Sequence, residues 1–400
     1  MAIRIKVATT AKELQDVYHL RYQVYAEEEG RYGETQTKIV VDQFDAVPNV
    51  ASVIAYESGI PVGTMRVSLD SEIQLPADET FDFSGYRTTA NEQAQAENLP
   101  PPLFVNAGML AIAGKWRNRR DVFRSLFKAG CDVAYAWKAT HIIVTASVQS
   151  ASIYLRLGFE KLEEKVWYEP AGEHIVPMAS DLERVYKWAF SALGENNALL
   201  DSFADSFEYL LVGKDSSVFT EGEIGHEAYL INKGRVVISR ADPASEGQLS
   251  LATLGKGDMF GELSLIDDQT RSATATATTN VELIVLTREV FWQKAHEDAN
   301  YLKSLLSILS NRVRAIDERA FIYAHGSVDN RLKFFLDQVR HEAVPSKKEP
   351  NKSVAKITTE GFAYMASAEI EQAQQYLDRL HNKRIIKLSA KSITFYQEPK

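Results

Sequence analysis

The stretch GDMFGELSLIDDQTRSATATA, Gly257–Ala277, sets two glycines, a glutamate and an arginine close together and follows them with small and β-branched residues. Backbone N–H groups in a glycine-containing turn hold an anion without loss of side-chain freedom, and a guanidinium fork matches two phosphate oxygens. A carboxylate is a poor phosphate ligand but a good acceptor for a ribose hydroxyl. Glu262 and Arg271 in one cassette therefore suit a cyclic phosphodiester, whose single charge asks for fixed donors and one cation. Ser272, Ala273 and Thr274 leave room for it.

The elements that must hold these residues fall into three textures. From Met1 to about Gly194, period-2 stretches such as ASVIAYE, VGTMRVSL and HIIVTAS alternate with helical stretches, the clearest being ELQDVYHLRYQVYAEEEG and DVFRSLFKAGCDVAYAWKA. This predicts a mixed α/β domain. Between about Asn197 and Glu297, short alternating strands are punctuated by glycines, as in a β sandwich or roll. Leu302, Leu305, Leu306, Leu309, Val313 and Ile316 then mark one long amphipathic helix with no Pro or Gly before Gly326. The remainder reads helix, PSKKEPNK loop, helix and two short strands, IIKLS and SITFYQ.

The bulk composition agrees with several cores. The 400 residues are 45% hydrophobic and 25% charged, with a formal net charge of −9, which argues against a chain that binds polyanions along its whole length. No run approaches a membrane span and the start has no leader-like apolar core, so a cytoplasmic protein is expected. Cys131 is the single cysteine, which excludes an internal disulfide and a cysteine-based zinc cluster; it reads as a packing residue on a helix. No metal site is expected.

FGELSLIDDQTRSATA resembles the phosphate-binding cassette of cyclic-nucleotide-binding domains, the β rolls of the catabolite activator protein and of kinase regulatory subunits. The likeness implies that Gly261 and Leu263 offer N–H groups to the phosphate, Arg271 pairs with it, Ser272 adds a hydroxyl and Glu262 takes the ribose 2′-OH. It implies cAMP, or cGMP, as an allosteric ligand. The long helix resembles that family's dimerisation helix, so a homodimer through residues 298–325 is expected.

In the first domain, NAGMLAIAGKWRNRR and ASIYLRLGFEKLEE resemble the GNAT acyltransferase fold, where a helix N-terminus receives the phosphates of an acyl carrier. Tyr154, in the YxxxGF position, is then the general acid for the departing thiolate. Glycines usual in the GNAT loop are missing from RNRRDV, and Arg117, Arg119 and Arg120, with Lys115 and Arg124, supply cations instead. Such a cluster suits acyl-CoA or acyl carrier protein as donor. LRYQVYAEEEGRYGE, VDQFD and GTMRVSL are similar to the layout of acyl-homoserine-lactone synthases and related N-acyl amino acid synthases. That likeness makes Arg21, Asp42 and Arg66 substrate-binding residues. Glu27, Glu28, Glu29, Asp42 and Asp45 are the candidate bases, with Asp45 preferred. Asn106 and Met109 stand where the lactone synthases carry a Glu and an Arg, so lactone synthesis is not expected.

The tail resembles a winged helix, but Glu369 and Glu371 open its would-be recognition helix and would repel phosphates, which disfavours DNA binding. The expected chain is thus α+β and multidomain. A GNAT-like domain (1–194) precedes a cyclic-nucleotide-binding β roll with a long dimerisation helix (195–325), and a small winged-helix-like domain (326–400) follows. The expected function is a cyclic-nucleotide-regulated N-acyltransferase; the alternative is a cAMP-responsive transcription regulator with an inactive GNAT-like sensor. A lysine acyltransferase acting on proteins differs only in the acceptor.

Overall fold

Buried Ile3 and Ile5 alternate with half-buried Arg4 and Lys6 in the first strand, β1 (Ala2–Val7), a pattern that commits one face of the strand to a core. The structure is a computed structural model that describes residues 2–31, 33, 36–169, 172–190, 208–241, 248–297, 299–346, 349 and 351–396. The chain divides into two units, Met1–Tyr301 and Leu302–Lys400. The junction expected at 194/195 lies outside the described residues.

In the large unit, β1 is followed by β2 (Val50–Glu57), β3 (Ile60–Leu69), β4 (Phe104–Ile112), β5 (His141–Ser147), β6 (Glu160–Lys161), β7 (Val166–Tyr168) and β8 (Glu173–Asp181). Ser58 and Gly59, both with positive φ, make the two-residue turn that joins β2 to β3. The helices are α1 (Ala11–Tyr22), α2 (Ser84–Ala96), α3 (Arg120–Ala136), α4 (Ala151–Arg156) and α5 (Leu182–Phe190). Thr10 and Glu13 form a reciprocal capping box that starts α1, which continues into a π-helical segment, Gln23–Glu28. Met65 and Val67 of β3 join the core under α3, while Arg66 turns to the opposite face, toward α1. α3 lies close on β3 because Gly130 has no side chain; a Cβ there would stand 2.2 Å from the Met65 methyl carbon. Cys131 is buried in this core and burial pushes its thiol pKa up, as suits a packing residue.

The roll contributes β9 (Tyr209–Val212), β10 (Ser217–Phe219), β11 (Glu227–Lys233), β12 (Val236–Ala241), β13 (Gln248–Leu254), β14 (Met259–Phe260), β15 (Thr274–Ala277) and β16 (Val281–Thr287). Its strands divide between two sheets. β10, β15, β12 and β13 form one; the other is continuous with the first domain, in the order β14-β11-β16-β9-β1-β2-β3-β4-β5-β8-β6. The junction is the antiparallel pairing of β1 with β9, from Ala2 opposite Val212 to Ile5 opposite Tyr209. Phe219, Tyr229, Phe260, Ala275 and Val285 belong to the core between the roll's sheets.

The small unit begins within the helix Ala299–His325, as long as the periodicity predicts. Helices Val328–Glu342, Thr359–Met365 and Ile370–Asn382 then enclose Leu332, Phe335, Phe362, Leu377 and Phe395 with a four-stranded sheet. IIKLS and SITFYQ pair as its hairpin, and two further short strands, Val344–Pro345 and Lys352–Ala355, complete it. Among the described residues no helix is long and apolar enough to cross a membrane.

Candidate functional site

The nucleotide cassette starts where β14 ends. Gly261 turns the chain with φ +78°, which favours glycine, and Glu262 caps a short helix, Leu263–Ile266. Arg271 returns beneath this turn at 5% exposure. Its Nη1 donates to the Gly261 carbonyl at 2.6 Å and to Ser264 Oγ at 2.8 Å, and Nη2 donates to the Glu227 carbonyl at 2.7 Å. The guanidinium also lies 4.2 Å from the centre of the Phe219 ring. Two glycines make room for it: a Cβ on Gly225 would come within 2.6 Å of its Cζ, and one on Gly261 within 2.9 Å of Nη1. Burial lowers the Arg271 pKa, against the opposing influence of Tyr229 and Glu227. The three acceptors are all neutral, and Glu227, Glu223 and Glu262 act on the cation only through space, which leaves its hydrogen-bonding fork exchangeable for an anion. Glu262 is fully buried beside it, whereas Leu263 and Ser272 are exposed. The cassette residues read from the sequence thus come together, and their chemistry fits a cyclic nucleotide. Gly225, Glu227, Ser264 and Phe219 were not legible as part of it, because three of the four lie on earlier strands and turns.

The second site is a cleft in the first domain. β4 and β5 run parallel and pair only from Phe104 opposite His141 to Asn106 opposite Ile143, after which they part. Asn106 Nδ2 donates across the fork to the Ile143 carbonyl at 3.0 Å. Beyond it opens a cavity of about 560 Å³ whose lining includes Tyr25, Asp42, Arg66, Asn106, Met109, Arg117, Tyr154 and Glu173. Met109 holds φ +49° where β3 and β4 shift register, so two β4 residues oppose one on β3; such a bulge re-aims backbone groups at the fork. Tyr154 is 7% exposed and burial pushes its pKa up to about 12, so it is protonated at neutral pH. Its ring meets Phe127 and Phe159 edge-on.

Four charged residues form a cluster at the cleft, of which Asp42 and Arg66 line the cavity. Asp42 and Asp45 cap the turn Gln43–Ala46 reciprocally, which orients both carboxylates. Arg21, fully buried, donates to both Asp45 oxygens at 2.9 Å and to Ser52 Oγ at 3.3 Å. Arg66 grips Asp42 at 2.5 and 2.9 Å and reaches Asp45 at 3.1 Å. Burial alone would raise the Asp45 pKa, but Arg21 and Arg66 outweigh it and hold the carboxyl below its usual range. Of the cations expected to meet an acyl carrier, Arg117 lines the cavity, with its guanidinium 2.6 Å from Glu28 and 3.2 Å from Glu29. Arg119 is bonded to Asp121 and lies over Trp116, and Arg120 is exposed.

Side chains also join the roll to the first domain. Arg4 on β1 donates to both Glu227 oxygens at 2.7 and 2.8 Å and to Glu208 at 2.9 Å. This pairing raises the Arg4 pKa, chiefly through the Glu227 hydrogen bonds. The same Glu227 offers its carbonyl to Arg271, so the cassette arginine and the first strand share one residue. On α3, Lys128 pairs with Glu282 of β16, and Asp132 accepts from the Tyr209 hydroxyl of β9.

Comparison with known proteins names both domains. Residues 16–181 match the family model of the N-acyl amino acid synthase FeeM, and residues 211–298 match that of the cyclic nucleotide-binding domain. The chain is thus similar to an N-acyl amino acid synthase over residues 16–181 and to a cyclic nucleotide-binding domain over residues 211–298. The cyclic AMP receptor protein of Thermus thermophilus is 30% identical over 130 residues, 32% of this chain and 60% of that protein's length. The CRP-like cAMP-activated global transcriptional regulator of Mycobacterium tuberculosis is 28% identical over 177 residues, 44% of this chain and 79% of that protein. Among solved structures, the Thermus thermophilus catabolite activator protein aligns with 51% of this chain and 92% of its own at 24% identity and a TM-score of 0.30.

Proposed function

We propose that the protein is an N-acyltransferase, GNAT-like in its first domain and controlled by a cyclic nucleotide. The observation that carries the reading is the fork between β4 and β5, which opens onto a cavity walled by a protonated tyrosine and a bulged strand. An amine nitrogen attacks the carbonyl carbon of an acyl thioester, the C–N bond forms as the C–S bond breaks, and the ammonium proton passes to water. The departing thiolate takes its proton from Tyr154, which regains one from water as the ammonium releases its own, and N–H groups at the Met109 bulge hold the oxyanion. The donor is acyl-CoA or acyl carrier protein, met by Arg117, Arg119 and Arg120 at the rim.

Asp45 was the preferred base on residue type. Between two guanidiniums that keep it ionised it takes up protons poorly, and we assign Asp45, Arg21, Asp42 and Arg66 the role of positioning the cleft wall. Asn106 supports the departure from lactone synthesis, since its amide is spent on the fork.

The ligand of the roll is cAMP, the nucleotide in the names of both relatives, with cGMP the alternative. Its phosphate competes for Arg271 with the Gly261 and Glu227 carbonyls, aided by Gly261 and Leu263 amides and Ser272, while Glu262 takes the ribose. Because Glu227 is tied to Arg4, displacement of Arg271 bears on β1 and through it on the acyl sheet. A shift in activity then requires that the nucleotide bind two arrangements of this junction with different affinity. The relay thus runs through the fused sheet.

We further propose a cytoplasmic homodimer through the helix 299–325, whose Leu306, Val313, Ile316 and Phe321 are exposed apolar residues. The tail is a winged helix that does not serve sequence-specific DNA binding. Glu369 and Glu371 stand in the first turn of its candidate recognition helix, and Arg379 near the far end pairs with Asp329. Of the basic loop, Lys347 and Lys348 lie outside the described residues.

The test is transfer from radiolabelled acyl-CoA and acyl carrier protein to amines by the intact protein and by Tyr154→Phe. Loss of the acid should lower kcat roughly a hundredfold with little change in KM. An unchanged kcat would remove Tyr154 from the chemistry, and no transfer by the parent would remove the enzyme reading.

A further inference from the structure

The charges around the acyl cavity are unequally shared, and this bears on the acceptor. Three guanidiniums line the cavity among the described residues, those of Arg31, Arg66 and Arg117. Each already has two carboxylates: Arg31 lies 2.9 Å from Glu29 and 3.1 Å from Glu173, Arg66 pairs with Asp42 and Asp45, and Arg117 pairs with Glu28 and Glu29. The cavity lining carries four carboxylates, Glu29, Asp42, Glu79 and Glu173, against these three guanidiniums, and Glu28, Asp45 and Arg21 join the network behind it. The surplus lies on the lining itself. Glu79 accepts a hydrogen bond from the neutral Gln43 amide at 2.8 Å, and Glu173 pairs with Arg31.

Recognition of a free amino acid asks for a cation to meet its carboxylate. Here a guanidinium could turn to it only by leaving its partners, and the release of Asp45, 5% exposed in its side chain, would strand a buried charge. An ammonium group meets the opposite situation, a wall where negative charge is in excess. Resting on the reading of the cleft as an acyltransferase site, we propose that the acceptor is a small dicationic amine that bears no carboxylate, a di- or polyamine. One amine loses its proton and attacks the thioester while the other stays protonated against Glu173 and Glu79. The exposed cations Lys115 and Arg120 at the rim are left to the anionic donor, so the two substrates are sorted by sign.

The experiment compares amino acids with their decarboxylated counterparts, lysine with cadaverine and tyrosine with tyramine, on the intact protein with a fixed acyl donor, with and without cAMP. The expected result is a kcat/KM at least about tenfold higher for each decarboxylated amine, with cadaverine best. Glu173→Gln should raise the KM for cadaverine about tenfold more than that for tyramine, a split that a general loss of structure would not produce. A preference for tyrosine or lysine over the matched amine would overturn the proposal while leaving the transferase reading intact, as would transfer to a lysine-containing peptide but not to cadaverine. Absence of transfer to every amine, with donor bound by thermal shift, would overturn the transferase reading and this inference with it.

Discussion

Arg66 in the acyl cleft and Arg271 in the roll are both nearly sealed from solvent, at 2% and 5% exposure, yet they are held by different chemistry. Arg66 lies between two carboxylates, whereas Arg271 lies among two carbonyls and a hydroxyl. The first arrangement neutralises a cation and turns it into framework. The second satisfies its hydrogen bonds with neutral acceptors while Glu227, Glu223 and Glu262 act only through space, a looser hold that suits a receptor for an anion. A phosphate that reaches Arg271 adds Coulomb attraction and displaces only dipoles; one that reaches Arg66 must break an ion pair. Two arginines of similar burial therefore have opposite availability, and the difference sorts the cleft from the cassette.

The largest effect should come from breaking the neutralised cluster. Arg66→Met leaves Asp42 and Asp45 facing one guanidinium instead of two, and the expected loss is about 3–5 kcal/mol of unfolding free energy by denaturant titration. The pH dependence has a definite sign. Asp45 titrates below its ordinary 3.8, so its contribution is present above that value and is lost as pH falls through the lower native pKa. Asp45→Asn should therefore flatten the acid limb of stability. An acid limb equal to that of the parent would mean that the two guanidiniums do not hold the carboxylate.

A smaller effect, visible only with ligand, is expected at the other arginine. cAMP at about 100 times its Kd should stabilise the parent by roughly 2.7 kcal/mol, and Arg271→Ala should lose most of that shift. An equal shift in the variant would place the nucleotide elsewhere and erase the contrast between the two arginines.

How much of this could be read from the chain depended on sequence distance. The cassette was legible because glycine, glutamate and arginine fall within one turn and the strand after it, so the anion chemistry is local. The long helix was legible from its apolar period. The cleft was legible only through resemblance, since Arg21, the Asp42–Asp45 turn and Arg66 come from three elements that no local pattern brings together. Asp45 illustrates the limit: residue type offers a base, while the pair of guanidiniums that depress its pKa is a property of the fold. Least legible was the fusion of the two sheets. Arg4 meets partners 204 and 223 residues away, and the short alternating β1 gives no sign that both of its edges will be paired. Helix α2 escaped notice because its composition is polar and it buries little beyond Ala90.

In the proposed control, the nucleotide cassette acts on the acyl cleft through that junction. The most direct test measures acyl-transfer rate against cAMP concentration in the parent and in Arg4→Met, which removes the guanidinium between Glu227 and β1, with nucleotide binding followed in parallel by thermal shift. The expected result is a saturable change of rate in the parent, its midpoint matching binding, and a flat response in the variant although the nucleotide still binds. A variant that responds like the parent, or a parent that binds cAMP without any change of rate, would contradict it.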